Sequence, residues 1–190
     1  MIVVGLTGLA GSGKSTAARH IVERHGFVRR PFATLLKGML RYLLHAQGIP
    51  ADDVERMVEG DMKEVPTSFL GGATPRRAMQ TLGTEWGRVL HPDLWVQAWT
   101  TSIAGLERIV ADDVRFENEV AAIRALGGRV VEVQRPGLVR PADVHVSERG
   151  VVADVSVNND GLPADLAREI DITFALLRLR SASAPLIRAL

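Results

Sequence analysis

The stretch Gly8-Leu9-Ala10-Gly11-Ser12-Gly13-Lys14-Ser15-Thr16 satisfies the pattern G-x-x-x-x-G-K-[ST] at every fixed position. Such a run can do one kind of chemistry. Its backbone N–H groups converge on an anion, and the dipole of the helix that follows favours negative charge at the same point. Ala10, Gly11, Ser12, Gly13 and Thr16 are expected to wrap a polyphosphate. Lys14 would reach the β- and γ-phosphates, and Ser15 would offer its hydroxyl to Mg²⁺. The flanks agree. Ile2-Val3-Val4-Gly5-Leu6 reads as a buried parallel strand, and Ala17 to Arg24 can continue as a helix. The residues imply a nucleoside triphosphate ligand and leave its use open.

Other residues could complete a reaction. Glu107 to Asp113 reads as a strand ending in two carboxylates, Asp112 and Asp113. One could hold Mg²⁺ directly or through water, and the other could cap the helix expected over Arg115 to Leu126; the sequence does not say which. Arg115 beside them sits at a positive helix end, where a cation is unfavourable unless an anion is near. Arg76-Arg77 opens another expected helix with the same misfit, and a bound phosphate would relieve it. Lysine is scarce: Lys14, Lys37 and Lys63 are the whole set, so a lysine at a motif position carries extra weight. His20, His25, His45, His91 and His145 are scattered, and no His/Asp metal cluster is expected from their spacing. The chain has no G-x-S-x-G elbow, no N-K-x-D and no D-x-x-G switch.

The elements that must position these groups alternate between strand and helix. Phe27 to Arg30 reads as a short second strand. Leu36, Met39, Leu40, Leu43 and Leu44 recur at helical spacing. Ala51 to Glu59 reads as a helix capped by Asp52 or Asp53. Gly60 to Pro75 reads as a long loop, and Arg76 to Arg88 as a helix begun at Thr74-Pro75 with Thr74 as N-cap. Leu94 to Ile103 follows, with Trp95 and Trp99 expected in the core. Arg129 to Gln134 and Asp154 to Val157 read as strands, and the C-terminal part from Leu162 as a helix. This order predicts an α/β fold with a mainly parallel sheet, whose ligands sit beyond the carboxyl ends of the strands.

Composition bounds the rest. At 190 residues and 46% hydrophobic, one domain with a real core is expected. A net charge of +1 gives no electrostatic case for a nucleic-acid or membrane partner. The absence of cysteine excludes disulfides and thiolate zinc sites, and a soluble cytoplasmic protein is the expectation.

Taken together, Gly8 to Thr16, Phe32-Ala33-x-x-Leu36-Lys37, Arg76-Arg77-x-Met79-Gln80-x-Leu82-Gly83-Thr84, Asp113-x-Arg115, Arg135-Pro136-Gly137, His145-x-Ser147-Glu148 and Asn159-Asp160-Gly161 make the chain resemble the phage-type deoxynucleoside monophosphate kinases. The resemblance implies a P-loop NTPase three-layer α/β/α fold of the nucleoside monophosphate kinase-like type over residues 1–190. It implies an acceptor-binding helical region at 31–105 and a short lid at 135–150. The implied reaction is ATP + dNMP → ADP + dNDP with Mg²⁺. Lys14, Arg115 and Asp113 become the implied catalytic residues, with Ser15 and Asp113 on the metal. Lys37, Arg76, Arg77, Gln80, Thr84 and Trp86 become the implied acceptor site. Arg135 and Arg140 would close over ATP, and Asn159, Asp160 and Gly161 would lie near adenine. The resemblance also leaves room for a homodimer. Where many relatives read Gly-Lys-Asp this chain reads Gly-Lys-Ser, the ordinary Mg²⁺-binding choice. Other readings are a dephospho-CoA kinase-like or phosphomevalonate kinase-like enzyme and, in a different class, a non-catalytic nucleotide-binding module.

Overall fold

Alternation along the first strand sets the layers. In β1 (Ile2–Thr7), Val4 and Leu6 face one core and Val3 faces another. Both faces are therefore buried, as a parallel sheet requires. A computed structural model describes residues 1–139 and 145–182. Its sheet holds β1, β2 (Val28–Arg29), β3 (Arg108–Ala111), β4 (Arg129–Gln134) and β5 (Val155–Asn158), all parallel, in the order β2-β3-β1-β4-β5.

On one face lie α1 (Lys14–His25) and α7 (Pro163–Ala182). Ala17, Ala18, Ile21, Leu166, Ile170 and Phe174 pack there against Val4, Leu6, Val131, Val133 and Val157. On the other face lie α5 (Leu94–Ser102) and α6 (Glu117–Ala125). Trp99, Ile103, Val120 and Ile123 pack there against Val3, Ile109 and Val130. The result is a three-layer α/β/α fold with the glycine-rich loop between β1 and α1. A separate small core joins α2 (Thr34–Ala46) and α3 (Ala51–Val58), built on Leu40, Leu44, Val54, Met57 and Val58. Met79 and Leu82 lean on it from α4 (Pro75–Thr81) and the π-helix Leu82–Arg88 that continues α4.

Several local expectations meet the structure directly. Thr74 caps α4 by accepting from Arg77 N at 3.1 Å, with Pro75 in the first turn. Trp95 and Trp99 are buried in the core. Gly26 ends α1 in the left-handed region, φ 68°. Other expectations are corrected. The second strand is two residues long, Val28 and Arg29 pairing with Ile109 and Val110 of β3, and Arg30 N adds a last hydrogen bond to Val110 O at 2.8 Å. Pro50 is the N-cap of α3, with Asp52 and Asp53 inside its first turn. The helix expected from Arg115 begins at Glu117, and neither Asp112 nor Asp113 caps it. Glu119 does so, accepting from Arg115 N at 2.8 Å and Phe116 N at 3.2 Å. The helix expected over Arg76 to Arg88 changes to the wider π geometry at Leu82. None of the described helices is long and apolar enough to cross a membrane.

Candidate active site

The parallel strands all end on one edge of the sheet. After β1 the chain turns through Gly8, φ 133°, and Gly13, φ 106°. A Cβ at Gly8 would stand 2.4 Å from the Val133 carbonyl oxygen, and one at Gly13 2.4 Å from Asn159 Nδ2. Only glycine fits these two approaches. Asn159 Nδ2 then donates to Ser12 O at 2.8 Å, tying the end of β5 to the loop. Gly13 caps α1 without any side-chain hydrogen bond, so its first-turn N–H groups face outward from the helix end. Lys14 Nζ donates to Gly8 O and Leu9 O, both at 2.7 Å.

After β3, Asp112 is buried and makes a two-point ion pair with Arg29, Nε to Oδ1 at 2.9 Å and Nη2 to Oδ2 at 2.8 Å. Asp113 accepts Phe32 N at 2.8 Å and Ala33 N at 2.9 Å, one on each oxygen. Burial raises its pKa, and the two amide hydrogen bonds pull the other way. Asp113 thus fixes the entry to α2, the helix that carries Lys37.

One cleft of about 410 Å³ joins these parts. Ala10, Gly11, Lys14 and Ser15 line one end, and Lys37, Lys63, Arg76, Gln80 and Thr84 line the other, with Asp113 and Arg115 also on its wall. The remaining expected acceptor residues are not in its lining. Arg77 is half-exposed and pairs with Glu85 at 3.2 Å. Trp86 is exposed, its ring 6.2 Å from that of Trp95. A second cavity of about 320 Å³ lies beside the loop, lined by Leu9, Ser12, Arg135 and Asn158. Arg135 Nη1 reaches Gly11 O at 3.4 Å. Asn159, Asp160 and Gly161 line neither cavity, and Arg140 lies outside the described residues.

Sequence reasoning missed three groups in this cleft. Lys63 lies in the long loop; burial lowers its pKa, and the neighbouring charges of Lys37 and Arg76 lower it further. Glu59 opposes this crowding, 2.9 Å from Lys37 and 3.7 Å from Lys63. Arg88 and Glu119 form a buried pair at 2.6 Å, with the guanidinium 3.6 Å above the Phe116 ring. Burial pushes the Glu119 carboxyl up to about 7. Lysine scarcity was the available signal for Lys63: all three lysines of the chain line this one cleft. The Arg88–Glu119 pair spans 31 residues, a separation no local pattern reveals. Outside the cleft, the structure also corrects the reading of the histidines, since His20, His25 and Asp171 converge.

Comparison with known proteins adds an independent observation. A family model for deoxynucleotide monophosphate kinase matches residues 54–170, a span that excludes the glycine-rich loop. A putative deoxynucleotide monophosphate kinase of Acanthamoeba polyphaga mimivirus is 32% identical over 162 residues, covering 78% of this chain and 81% of that protein. The deoxynucleotide monophosphate kinase of Enterobacteria phage T4 is 31% identical over 111 residues, covering 54% of this chain and 46% of that protein. Among solved structures, shikimate kinase from Aquifex aeolicus aligns over 93% of this chain and 98% of its own, with a TM-score of 0.45 and 13% identity. With the family match spanning more than half of its residues, the chain belongs to the deoxynucleotide monophosphate kinase family.

Proposed function

We propose that this kinase moves the γ-phosphoryl group of ATP onto the 5′-phosphate of a deoxynucleoside monophosphate within the 410 Å³ cleft. The observation that carries this reading is the presence of two cationic ends in one cleft. Lys14 stands at the loop end, and Lys37, Lys63 and Arg76 stand at the other. A module that only sensed ATP would need no second phosphate site. The loop and the first turn of α1 would hold the donor phosphates. Lys37, Lys63 and Arg76 would hold the acceptor phosphate, and Gln80 and Thr84 lie where the nucleoside would follow. The cavity lined by Arg135 and Asn158 is the proposed place for the rest of ATP.

The acceptor oxygen is already anionic, so no strong base is required. Alignment and charge neutralisation would do the work, with Lys14 and Arg115 facing the group in transfer. Ser15 and Asp113 line the same wall, and a hydroxyl with a carboxylate suits a hard cation. Each Asp113 oxygen accepts one backbone N–H and keeps a second lone pair, so Asp113 would serve Mg²⁺ directly or through water. Bound there, Mg²⁺ would neutralise charge on the phosphates.

The test is a coupled ADP-release assay over dGMP, dTMP, dCMP, dAMP and their ribo forms, with dephospho-CoA and phosphomevalonate as rival acceptors. Turnover with at least one dNMP is expected. Turnover only with a rival acceptor, or none at all, rejects the reading. Lys14→Ala should keep its circular dichroism and lose on the order of 10²–10³ in kcat, as loss of one preorganised charge does; near-normal kcat in the folded variant would reject the role of Lys14.

A further inference from the structure

Near the far end of α1 from the loop, two helices bring three ligating side chains to a point. His20 Nε2 lies 2.8 Å from Asp171 Oδ1, and His25 Nε2 lies 2.7 Å from the same oxygen. The three ligand atoms all fall within 4.8 Å of one another. The histidines are on α1 and the aspartate on α7. At a rise of about 1.5 Å per residue, His20 is roughly 9 Å and His25 roughly 16 Å along the axis from Lys14, well clear of the phosphates.

The cluster is held in place by the core. The His25 ring lies against Phe174, centroids 4.7 Å apart, and Phe174 meets Phe27 edge-on at 5.5 Å. Phe174 and Phe27 are both buried. A simple brace between helices needs one histidine on the carboxylate. Here two imidazoles address one oxygen, while the other oxygen accepts no hydrogen bond from the described residues.

We propose that His20, His25 and Asp171 form a binding site for a divalent transition-metal ion of the zinc type, which fastens α7 to the helix that follows the phosphate loop. Two imidazole nitrogens and one carboxylate oxygen are a zinc donor set, and imidazole does not suit Mg²⁺ or Ca²⁺. Metal bonds of about 2.0–2.2 Å place neighbouring ligand atoms of a tetrahedral site roughly 3.3 Å apart. Each imidazole nitrogen needs to part from Asp171 Oδ1 by only about half an ångström to stand at that spacing. The three side chains are 23%, 15% and 43% exposed, which gives the ion a path in and leaves a position for water.

The test uses the full chain, stripped of metal and titrated with Zn²⁺ by calorimetry. One ion per chain is expected to bind. His25→Asn and Asp171→Asn should each weaken binding by more than the roughly 10–100-fold that loss of an outer hydrogen-bond partner costs at a metal site. His45→Asn, on the exposed side of α2, should bind as the wild type does. Zn²⁺ should raise the thermal unfolding temperature of the wild type and leave that of His25→Asn unmoved. A variant-free readout is imidazole NMR, in which Zn²⁺ should shift two of the five histidine rings, His20 and His25. No stoichiometric binding, full binding in both site variants, or shifts at other rings would overturn the proposal.

Discussion

Arg76 and Arg77 are adjacent in sequence and end in different places. Arg76 lines the cleft, while Arg77 lies half-exposed beside Glu85. Arg76→Ala should therefore raise the KM for the acceptor at least tenfold, and Arg77→Ala should change it less than threefold; initial-rate kinetics at saturating ATP check both. A tenfold change corresponds to about 1.4 kcal/mol, the scale of one hydrogen bond to a charged group. Glu119 supplies a pH prediction. Its folded-state pKa, about 7, lies above the ordinary 4.5, so the folded state holds a proton that the unfolded state gives up. Its contribution is complete below pH 4.5 and is lost as pH rises through 7. The stability of the wild type relative to Glu119→Gln should fall by about 1–3 kcal/mol between pH 4.5 and 7.5, read from urea midpoints. The loop lysine and serine were legible in sequence because the motif fixes backbone and side chain together. Which of two arginines faces a cleft was not, because that is settled by the neighbours each one meets.

At the scale of elements, the C-terminal edge of the sheet was legible and the joints between helices were not. The segments of β1, β3 and β4 were legible as strands, and the apolar run of β1 as a buried one. The roles of Asp112 and Asp113 did not, since their partners Arg29, Phe32 and Ala33 are some 80 residues away. The π-helix Leu82–Arg88 was equally hidden, because its width is set by packing. Trp95 Nε1 donates to Gly83 O at 2.8 Å, and the Trp95 ring lies where a Cβ on Gly87 would go, 2.4 Å from Cζ2. Gly87→Ala must displace this ring, which forms part of the cleft wall. A loss of about 1–3 kcal/mol in unfolding free energy is expected, with a raised acceptor KM. Denaturant melts and kinetics on the same preparation measure both.

Across the whole molecule, β1 sits at the centre of the sheet, between β3 and β4. The loop that follows it therefore receives neighbours from both sides, Asp113 beyond β3 and Asn159 beyond β5. Ligands held by this edge should tie the layers together. A non-hydrolysable ATP analogue at a hundred times its Kd should raise the unfolding free energy by about 2.7 kcal/mol. Lys14→Ala at the same analogue concentration should gain less, and an equal gain would mean that the analogue binds without this lysine. Calorimetric or denaturant unfolding in the presence and absence of the analogue tests this.

The π geometry that ends at Arg88 also bears on which changes of length the chain tolerates. In a helix each residue advances the direction of the next side chain by about 100°. Removing one residue between Leu82 and Arg88 would let the wide turn relax to the α form with the side chains beyond it near their present faces, because the π turn already holds one residue more than an α turn. Removing a second would swing them by about 100°. Arg88 would then leave Glu119 and the Phe116 ring, and Trp95 would lose its register with Gly83. Two-residue deletions should thus abolish activity here, whereas the Gly71-Gly72 tip of the long loop, where a Cβ would meet nothing within 4 Å, should accept insertions. In this stretch the number of residues matters as well as their identity.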